Sequence, residues 1–246
     1  MSRESLGQIY TRAEIYEAVY RARRKDYRAE AAEAESIARE FGTDPKSLLD
    51  VACGNGPHLR YFRQSFDDVE GVDVSEDMVR LARHNLPDVP VHQGDMAGFR
   101  LERTFDVITC MFSSVGYLRD TDELDATAES FVRHLNPGGV VVLEPWYFPD
   151  TFVPGQIMST LATEGGRTIS RISHATREEG DIARVLAHYL VADSASGVEH
   201  FIDSHDLKLF TRSEYESAFE RAGCTVQYRE RGTKVGMFAA TLGHAR

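Results

Sequence analysis

Residues 50–58 read Asp50-Val51-Ala52-Cys53-Gly54-Asn55-Gly56-Pro57-His58. They continue an apolar run that begins at Ser47 and predicts a buried strand over residues 47–53. The run ends at two glycines one residue apart, Gly54 and Gly56, and Pro57 then predicts the start of a helix. A strand, a tight glycine turn and a helix form a corner in which the backbone can approach a nucleoside, because glycine has no Cβ.

The residues around this corner narrow the ligand that it suits. A dinucleotide-binding corner has a third glycine three residues after the second, where this chain has Leu59. The sequence also lacks a phosphate-binding loop that ends in Gly-Lys-Ser or Gly-Lys-Thr. The pattern therefore favours the S-adenosylmethionine (SAM) corner of class I methyltransferases over a pyrophosphate site. Two-glycine turns also occur in ordinary strand–helix connections, so this stretch alone leaves both interpretations open.

Length and composition limit the class of protein. The 246 residues are enough for one large α/β domain or for a domain with a sizeable insertion. A net charge of −11 argues against a nucleic-acid partner, because phosphates would be repelled over most of the surface. Cys53, Cys110 and Cys224 have apolar neighbours and no paired spacing, which indicates buried thiols in a reducing compartment. No apolar run approaches about 18 residues and no signal-peptide core is present, so we expect no membrane span and a cytoplasmic protein.

Strand and helix patterns alternate in the first part of the chain. After helices predicted over residues 13–27 and 29–41, apolar runs predict strands at 47–53, 69–74, 91–93, 105–111 and 139–144. Helices are predicted between them at 57–66, 75–85 and 121–135, and Asn136-Pro137-Gly138-Gly139 is expected to close the last one. This order predicts a doubly wound parallel sheet with right-handed crossovers.

The alternation stops after the fifth strand. Runs at 168–177, 183–191 and 198–210 alternate polar and apolar residues between polar turns, which predicts an antiparallel meander. A helix at 212–222 and strands at 224–230 and 236–242 follow. We therefore expect a SAM-binding domain formed by residues 1–149 and 211–246, with a β-rich insertion over 150–210. An insertion at this point can cover the carboxyl edge of the sheet, where ligands of such folds bind.

Residues at the ends of three further strands support a SAM site. Asp73 ends the second strand, where a carboxylate can accept both ribose hydroxyls of an adenosyl group. Its alternative role is a helix cap, which Ser75 already supplies. After the third strand, Asp95 suits the exocyclic amine of adenine, and Met96 can pack on the ring. The fourth strand ends in Cys110-Met111-Phe112-Ser113-Ser114, which we expect over the same site.

The histidine-rich stretch at residues 200–206 is a candidate metal site. His200 and His205 stand close to Asp203 and Asp206, but on a strand the two histidines differ by an odd number and face opposite sides. We therefore predict no metal. The sequence also lacks the Gly-x-Ser-x-Gly elbow and the His-Glu-x-x-His motif of hydrolases.

Three segments resemble one narrow family. They are Asp-Val-Ala-Cys-Gly-x-Gly-x-His-Leu at 50–59, Met-Phe-Ser-Ser-Val-Gly-Tyr-Leu at 111–118 and Glu-Pro-Trp-Tyr-Phe-Pro at 144–149. The sequence resembles the SAM-dependent N,N-dimethyltransferases of actinobacterial antibiotic pathways, which act on dTDP-linked amino deoxysugars such as the precursors of desosamine and mycaminose. The similarity runs from about Tyr10 to Phe238 and includes residues 25–27, 171–174 and 209–212. The second and third segments are the specific part, because many methyltransferases share the corner.

The resemblance implies a class I SAM-methyltransferase fold and transfer of a methyl group from SAM to a sugar amine, performed twice. It implies that Tyr117 and Tyr10 orient the amine and relay its proton to water, with simple packing as the alternative for either. Because a deoxysugar amine is partly neutral near about pH 7, positioning is expected to matter more than a strong base. Tyr16 and Tyr27, with the basic stretch 21–28, resemble a lid over the SAM carboxylate, and a solvated helix face is the alternative for that stretch. The expected cofactor-binding set is Tyr16, Tyr27, Ala52, Gly54, Gly56, Asp73, Asp95, Met96 and Met111.

One departure from the family concerns the substrate. Many relatives carry Gly-Arg-Gly before the last strand, with the arginine facing the diphosphate, whereas Val235 stands at that position here. We therefore expect Arg171, on the same strand face as Ser173, to be the main cation for the diphosphate, with Lys234 as a helper. The alternatives are a solvated Arg171 or a differently presented amino sugar. The expected substrate-binding set is Phe112, Ser113, Trp146, Arg171, Ser173, His174 and Lys234.

Other functions remain open on the sequence. The nearest is a SAM-dependent methyltransferase of another small-molecule amine or hydroxyl. A nicotinamide dehydrogenase is disfavoured by Leu59 and by the lack of a Tyr-x-x-x-Lys pair. A SAM-binding regulator without catalysis is disfavoured by the strand-end acids and the aromatic roof. The expected partners are a dTDP-amino-deoxysugar and, through an aromatic β face, a second copy in a possible homodimer. The sequence distinguishes neither carbon 3 from carbon 4 as the aminated position nor the sugar's stereochemistry.

Overall fold

The computed structural model describes residues 8–42, 44–232 and 234–243. Within these ranges the helices are α1 (Ala13–Ala22), α2 (Tyr27–Phe41), α3 (Leu59–Phe62), α4 (Glu76–Asn85), α5 (Thr121–Arg133) and α6 (Arg212–Arg221). Short 3₁₀ turns occupy Gln8–Thr11 and Ser114–Tyr117. The strands are β1 (Ser47–Val51), β2 (Asp68–Asp73), β3 (Val91–Gln93), β4 (Phe105–Cys110), β5 (Leu135–Leu143), β6 (Ile157–Glu164), β7 (Arg167–Glu178), β8 (Ile182–Asp193), β9 (Gly197–Lys208), β10 (Cys224–Arg231) and β11 (Lys234–Leu242).

The larger sheet has seven strands in the order β10-β11-β5-β4-β1-β2-β3. β1 lies inside the sheet and pairs in parallel with β2 and β4, so that Asp50 lies level with Gly71 on one side and Thr109 on the other. The strand order reverses beside β1, and β11 is antiparallel to β5. The predicted doubly wound α/β sheet of class I SAM-dependent methyltransferases is confirmed. Its reversal point is where such folds form their ligand crevice.

The insertion after β5 is a separate four-stranded antiparallel sheet in the order β6-β7-β8-β9. The sequence predicted only three of these strands, and β6 was missed. Its residues run Ile157-Met158-Ser159-Thr160-Leu161-Ala162, with apolar residues in adjacent pairs, so the period-two alternation that identifies a half-buried strand is lost. The alternation is lost because this edge strand carries apolar side chains on its solvent face, where Ile157 and Leu161 are exposed.

Three predicted helices are shorter in the structure. The first ends at Ala22 because Arg24 adopts a left-handed φ of 53° and Asp26 then caps α2 by accepting the amide of Ala29. The helix predicted over 57–66 contains only α3. The helix predicted over 121–135 ends at Arg133, and the Asn-Pro-Gly-Gly segment belongs to β5. Asn136 anchors that segment by donating its amide to Asp106 on the neighbouring strand.

Apolar residues pack on both faces of the seven-stranded sheet and beneath the insertion. On one face Phe131 of α5 and Phe219 of α6 lie in one buried cluster. A separate buried cluster joins Val19 of α1 to Ile169 and Tyr189 on the inner face of the four-stranded sheet. These contacts place α1 between the two sheets. No helix in the described ranges is long and apolar enough to cross a membrane.

Candidate active site

A cavity of about 320 Å³ lies at the carboxyl edge of the seven-stranded sheet. Its walls come from the segments that follow β1, β2, β3 and β4, from α1 and α2, and from the inner face of the four-stranded sheet. The strand ends that the sequence predicted to form one site therefore do meet. The predicted site residues that line the cavity are Tyr10, Tyr16, Tyr27, Ala52, Gly54, Asp73, Asp95, Met96, Met111, Phe112, Ser113, Tyr117, Trp146, Arg171 and Ser173.

The glycine corner turns sharply where β1 ends. Ala52, Gly54 and Gly56 all have positive φ angles, of 59°, 56° and 84°. A Cβ on Gly54 would meet no atom within 4 Å, so this glycine leaves open space beside the backbone. Gly56 differs, because it does not line the cavity and its Cβ would lie 2.9 Å from Cδ1 of Leu86. Gly56 therefore allows the turn and the close packing against Leu86, and a contact with the cofactor stays a prediction.

Asp73 is held rigidly at the end of β2. Its Oδ2 accepts the amide of Gly54 at 2.8 Å, and its Oδ1 accepts the amide of Ser75 at 2.8 Å. Burial raises the pKa of this carboxyl, while the amide donors oppose the rise. Two oxygens offer about four acceptor positions, so two positions remain for a ligand's hydroxyls. Asp73 thus has the location and the acceptor capacity that a ribose diol requires.

The third and fourth strand ends complete this side of the cavity. Asp95 and Met96 follow β3, and Oδ1 of Asp95 accepts the amide of Ala97 at 3.1 Å. After β4, Phe112 and Ser113 adopt left-handed φ angles of 57° and 59°, which bulky residues rarely do. Such strained backbone persists only where its surroundings hold it, as is common at ligand sites.

Glu144 provides that support for Phe112. Its Oε2 accepts the amide of Phe112 at 2.7 Å, and its Oε1 accepts a guanidinium N–H of Arg231 at 3.0 Å. The hydroxyl of Ser113 also donates to the carbonyl of Pro145 at 2.9 Å. The segments 111–118 and 144–149 are therefore parts of one structural unit.

The N-terminal helices cover the cavity from the opposite side. Tyr16 packs on Tyr20 with ring centroids 4.4 Å apart, and both line the cavity. The ammonium of Lys25 lies 3.5 Å from the ring centroid of Phe112 and pairs with Glu30 at 2.8 Å. Burial lowers the pKa of Lys25, and Glu30 opposes this effect. These contacts tie α1 and α2 to the fourth strand end.

The same helices also contact the glycine corner. The second carboxylate oxygen of Glu30 lies 2.9 Å from Nε2 of His58, within hydrogen-bond distance. The ring of Tyr27 lies edge-on to the imidazole of His58. Tyr27 therefore stands where the glycine corner and α2 meet. This placement agrees with the expected lid, whose role in SAM binding stays a prediction.

The four-stranded sheet contributes a buried cation. Arg171 on β7 is 6% exposed, and it donates Nε–H to the hydroxyl of Tyr189 at 3.0 Å and an η N–H to Ser173 at 2.7 Å. No acidic residue in the described ranges forms a salt bridge with it. A buried cation without a counter-charge is costly, so the site favours an anionic ligand.

His174 and Lys234 are the two predicted substrate residues that the structure does not place on the cavity wall, for different reasons. His174 lies on the outer, exposed face of β7, because neighbouring strand residues alternate in direction, and it is absent from the cavity wall. The prediction that His174 binds substrate is therefore wrong for this cavity. The side chain of Lys234 lies outside the described residues, although its backbone begins β11.

A chain of hydrogen bonds crosses the cavity between distant parts of the sequence. The hydroxyls of Tyr10 and Tyr117 are 2.7 Å apart, and the Tyr117 hydroxyl is 2.9 Å from Nδ1 of His205. Nε2 of His205 lies 3.0 Å from Oδ2 of Asp203. As predicted, His200 and His205 face opposite sides of β9, but the sequence analysis did not place His205 in the site. The alternation of side chains along β9 was the available signal for His205, since residues 203 and 205 share a face with the buried Phe201 and Leu207.

Comparisons with known proteins agree with this geometry. A methyltransferase-domain family model matches residues 48–139. The chain is 49% identical to the dTDP-3-amino-3,4,6-trideoxy-alpha-D-glucopyranose N,N-dimethyltransferase of Streptomyces venezuelae, over 89% of this chain and 92% of that protein. It is 46% identical to the dTDP-3-amino-3,6-dideoxy-alpha-D-glucopyranose N,N-dimethyltransferase of Streptomyces fradiae, over 94% and 91%. The crystal structure of Streptomyces venezuelae DesVI superposes with a TM-score of 0.90 at 47% identity, covering 94% of this chain and 98% of that one.

The sheet order, the glycine corner and the acids after β2 and β3 define a class I SAM-dependent methyltransferase, and the matching family model agrees. SAM is its cofactor, as the sequence predicted. Identity of this extent over nearly the whole length is specific to a narrower group. The chain belongs to the family of dTDP-amino-deoxysugar N,N-dimethyltransferases, which are SAM-dependent N-methyltransferases, and the family predicted from three sequence segments is confirmed.

Proposed function

We propose that this enzyme adds two methyl groups in succession to the amine of a dTDP-linked amino deoxysugar. The observation that carries the proposal is the buried Arg171, which has no acidic partner among the described residues and lines the same cavity as Tyr10 and Tyr117. A cavity lined both by a buried cation that has no salt bridge among the described residues and by paired hydroxyls suits a substrate with a diphosphate and an amine. The names of the two Streptomyces relatives specify 3-amino sugars, and this supports an amine at carbon 3.

The residues after β1, β2 and β3 fit the cofactor. The open space beside Gly54 admits a ligand close to the backbone, Asp73 would accept the ribose hydroxyls, and Asp95 with Met96 would hold the adenine. Tyr16 and Tyr27 would close over the amino-acid end from α1 and α2. When bound, SAM supplies an electrophilic methyl group on sulfur.

Positioning of the amine falls to the two tyrosines. Burial raises the pKa of Tyr10 and of Tyr117 above the ordinary value, so both hydroxyls are neutral near pH 7. Neutral hydroxyls accept and donate hydrogen bonds without competing as charges for the methyl group. They would direct the amine lone pair for in-line attack, and such orientation is a large contribution to rate in bimolecular reactions.

The diphosphate would be held from the four-stranded sheet. The planar guanidinium of Arg171 suits phosphate oxygens, and Ser173 beside it adds a hydroxyl. Phe112, Ser113 and Trp146 line the same cavity as the cation and the tyrosines and would contact the sugar. The helper role of Lys234 rests on the sequence alone. On this proposal residues 150–210 form an insertion domain that shapes the substrate side of the site, while 1–149 with 211–246 bind the cofactor.

We also propose that the enzyme forms a homodimer through the outer face of the four-stranded sheet. That face carries exposed apolar side chains on all four strands, and we call it the outer apolar face: Ile157, Leu161, Ile172, Leu186, Leu190, Val198 and Ile202. A sheet face with this many exposed large apolar side chains typically marks an interaction surface. A second copy of the chain can cover such a face, since a two-fold axis pairs a patch with itself.

The three buried free thiols, Cys53, Cys110 and Cys224, support a reducing, cytoplasmic setting.

Mass spectrometry with a panel of dTDP-linked 3-amino and 4-amino deoxysugars tests the substrate assignment. The enzyme and SAM should convert one of them to a monomethyl intermediate and then to a dimethyl product. Simple amines without the nucleotide serve as controls and should react poorly. The assignment fails if no sugar nucleotide is methylated while simple amines are.

A further inference from the structure

The hydrogen-bond chain from Tyr10 to Asp203 has a direction that follows from its last member. The Asp203 carboxylate only accepts hydrogen bonds, and it takes the backbone amide of Ile9 at 3.4 Å as well as Nε2 of His205 at 3.0 Å. Nε2 of His205 must therefore carry a proton. In the neutral imidazole this leaves Nδ1 as an acceptor, and the hydroxyl of Tyr117 donates to it at 2.9 Å.

The direction of this hydrogen bond also sets the direction of the one between Tyr10 and Tyr117. Because the proton of Tyr117 is directed to His205, its oxygen accepts from the hydroxyl of Tyr10 at 2.7 Å. The hydroxyl hydrogens of Tyr10 and Tyr117 and the Nε2 hydrogen of His205 then all point along the chain towards Asp203, away from the cavity. The two tyrosine oxygens consequently present lone pairs to the cavity, which is the arrangement that receives an N–H of an amine.

We propose that His205, held by Asp203, is the proton acceptor of the reaction and takes the amine's proton through Tyr117. This inference rests on the proposed function for the identity of the amine. Tyrosine cannot serve as the final acceptor, because its neutral hydroxyl must release one proton when it receives another. His205 is the next group along the chain, and it is 9% exposed.

The proton balance of two methyl transfers leaves one proton to remove between them, and this acceptor receives it. In each transfer the amine nitrogen forms a bond to the methyl carbon, and the electron pair of the broken carbon–sulfur bond stays on sulfur. After the first transfer the nitrogen carries one proton too many for the second attack. That proton passes to the Tyr117 oxygen while the Tyr117 proton passes to Nδ1 of His205, and the imidazolium is stabilised by the Asp203 carboxylate. The imidazolium returns its proton to solvent before the next cycle.

The groups around His205 are compatible with this role. Tyr10 and Tyr117 face it from the two 3₁₀ segments, and their rings lie 5.9 and 6.0 Å from the imidazole. On its own strand Asp203 is the partner, while Asp206 points to the outer face and binds Arg184. Val185 lies opposite on β8. The cation of the inner face, Arg171, lies two strands away on β7.

The test compares pH profiles of kcat for the wild type and for His205→Asn, with saturating SAM and whichever amine the wild type methylates. At about pH 7 the variant should be slower by about tenfold, within the lower range of proton-transfer effects. The defect should shrink to about twofold by pH 9, because the amine then loses its proton to solvent without the histidine. His92→Asn, which disrupts a histidine–glutamate pair outside the cavity, is the matched control and should follow the wild type. A His205→Asn defect that is the same at every pH, or no defect, overturns the proposal.

Two further measurements separate this inference from folding and from the substrate assignment. Asp203→Asn keeps the shape of the side chain and should show the same pH-dependent loss with unchanged SAM affinity. In the wild type without substrate, nitrogen NMR of labelled histidines should show the Nε2–H tautomer for His205 near neutral pH. An Nδ1–H tautomer contradicts the relay whatever the acceptor is. If only simple amines are methylated but the pH-dependent defect is present, the sugar assignment fails and the relay stands.

Discussion

The amide of Gly54 donates to Oδ2 of Asp73 at 2.8 Å, although the two residues are nineteen positions apart. This bond joins the glycine turn after β1 to the acid that ends β2. It fixes the carboxylate beside the open space that Gly54 leaves, where on the proposed function it would accept the ribose hydroxyls. The other carboxylate oxygen is bound by Ser75, which prevents rotation of the group.

Replacement of Asp73 should weaken SAM binding. Asp73→Ala removes a charged acceptor of two hydroxyls, and we expect a loss of about 1–3 kcal/mol in binding free energy. Asp73→Asn retains one acceptor oxygen and should lose less. Isothermal titration calorimetry with SAM and S-adenosylhomocysteine measures both, and NAD should not bind. Unchanged SAM affinity in Asp73→Ala would remove this residue from the site.

Tyr117→Phe should lower kcat by roughly tenfold or less near neutral pH, because orientation dominates the rate and part of the amine is already neutral. Steady-state kinetics with separate determination of kcat and KM check this value. The Tyr117→Phe and His205→Asn effects should not add in the double variant, since both changes interrupt one relay. A loss beyond about 10⁴-fold with intact affinities would instead identify Tyr117 as an essential base.

Removal of the buried guanidinium should affect the sugar nucleotide and not SAM. Arg171→Ala should raise the KM for the dTDP-sugar by roughly 10- to 100-fold, as expected for a lost charge-assisted contact, and Lys234→Ala should have a smaller effect. The control is Arg184→Ala, because Arg184 lies on β8 and pairs with Asp206 on the opposite face. If neither Arg171→Ala nor Lys234→Ala changes this KM, the diphosphate is held elsewhere.

Charge on the outer apolar face should dissociate the proposed dimer. Ile172→Glu and Leu186→Glu each place a carboxylate on the proposed dimer surface, and we expect dimerisation to weaken by roughly 10- to 100-fold or more. Light scattering coupled to size exclusion at micromolar concentrations measures this. Gln64→Glu, on the exposed end of the seven-stranded domain, should leave the mass unchanged. A monomeric wild type at these concentrations would refute the dimer.

Stability should depend on the protonation of Asp50. Burial raises the pKa of this carboxyl from 3.8 to about 6, and its Oδ2 has no hydrogen-bond partner among the described residues. The folded state therefore binds this proton more tightly than the unfolded state does. The resulting penalty is small near pH 4, grows as the pH rises through 6, and is complete above it.

Asp50→Asn should remove that penalty while it keeps an oxygen for the hydroxyl of Thr109. At pH 7.5 the variant should unfold with a free energy larger by about 2–3 kcal/mol, and at pH 4.5 by only about 1 kcal/mol. Urea denaturation at the two values measures the difference. Asp88→Asn, at an exposed position, is the control. An equal gain at both pH values would show that ionisation of Asp50 is not the cause.

Features that depend on neighbouring residues were predictable from the sequence. Strand, glycine turn and helix follow one another within residues 47–66, and alternating apolar patterns identify most of the strands of both sheets. Asp73, Asp95 and Met111 were assigned from their positions at strand ends, because parallel strands bring those ends to one edge. The fold and the meeting of these strand ends at one cavity therefore follow from local patterns and one topological rule.

Local patterns failed where the side chains have unusual neighbours. β6 was missed because its exposed face is apolar, and His174 was placed in the cavity although the strand's alternation turns it outward. Gly56 packs closely against Leu86, which the glycine pattern alone did not indicate. In each case the identity of the residue was informative, but the direction of its side chain depended on contacts far away in the chain.

The hydrogen-bond chain is the clearest product of the tertiary structure. Tyr10 and Tyr117 are separated by 107 positions, and Tyr117 and His205 by 88. Each tyrosine could be assigned by resemblance, but nothing in the sequence links them to His205 and Asp203. The link forms because the four-stranded sheet folds over the carboxyl edge of the seven-stranded sheet, and α1 fills the space between them. Hydrogen bonds act only at contact distance and require a shared orientation, so a relay of four side chains exists only once both sheets are packed.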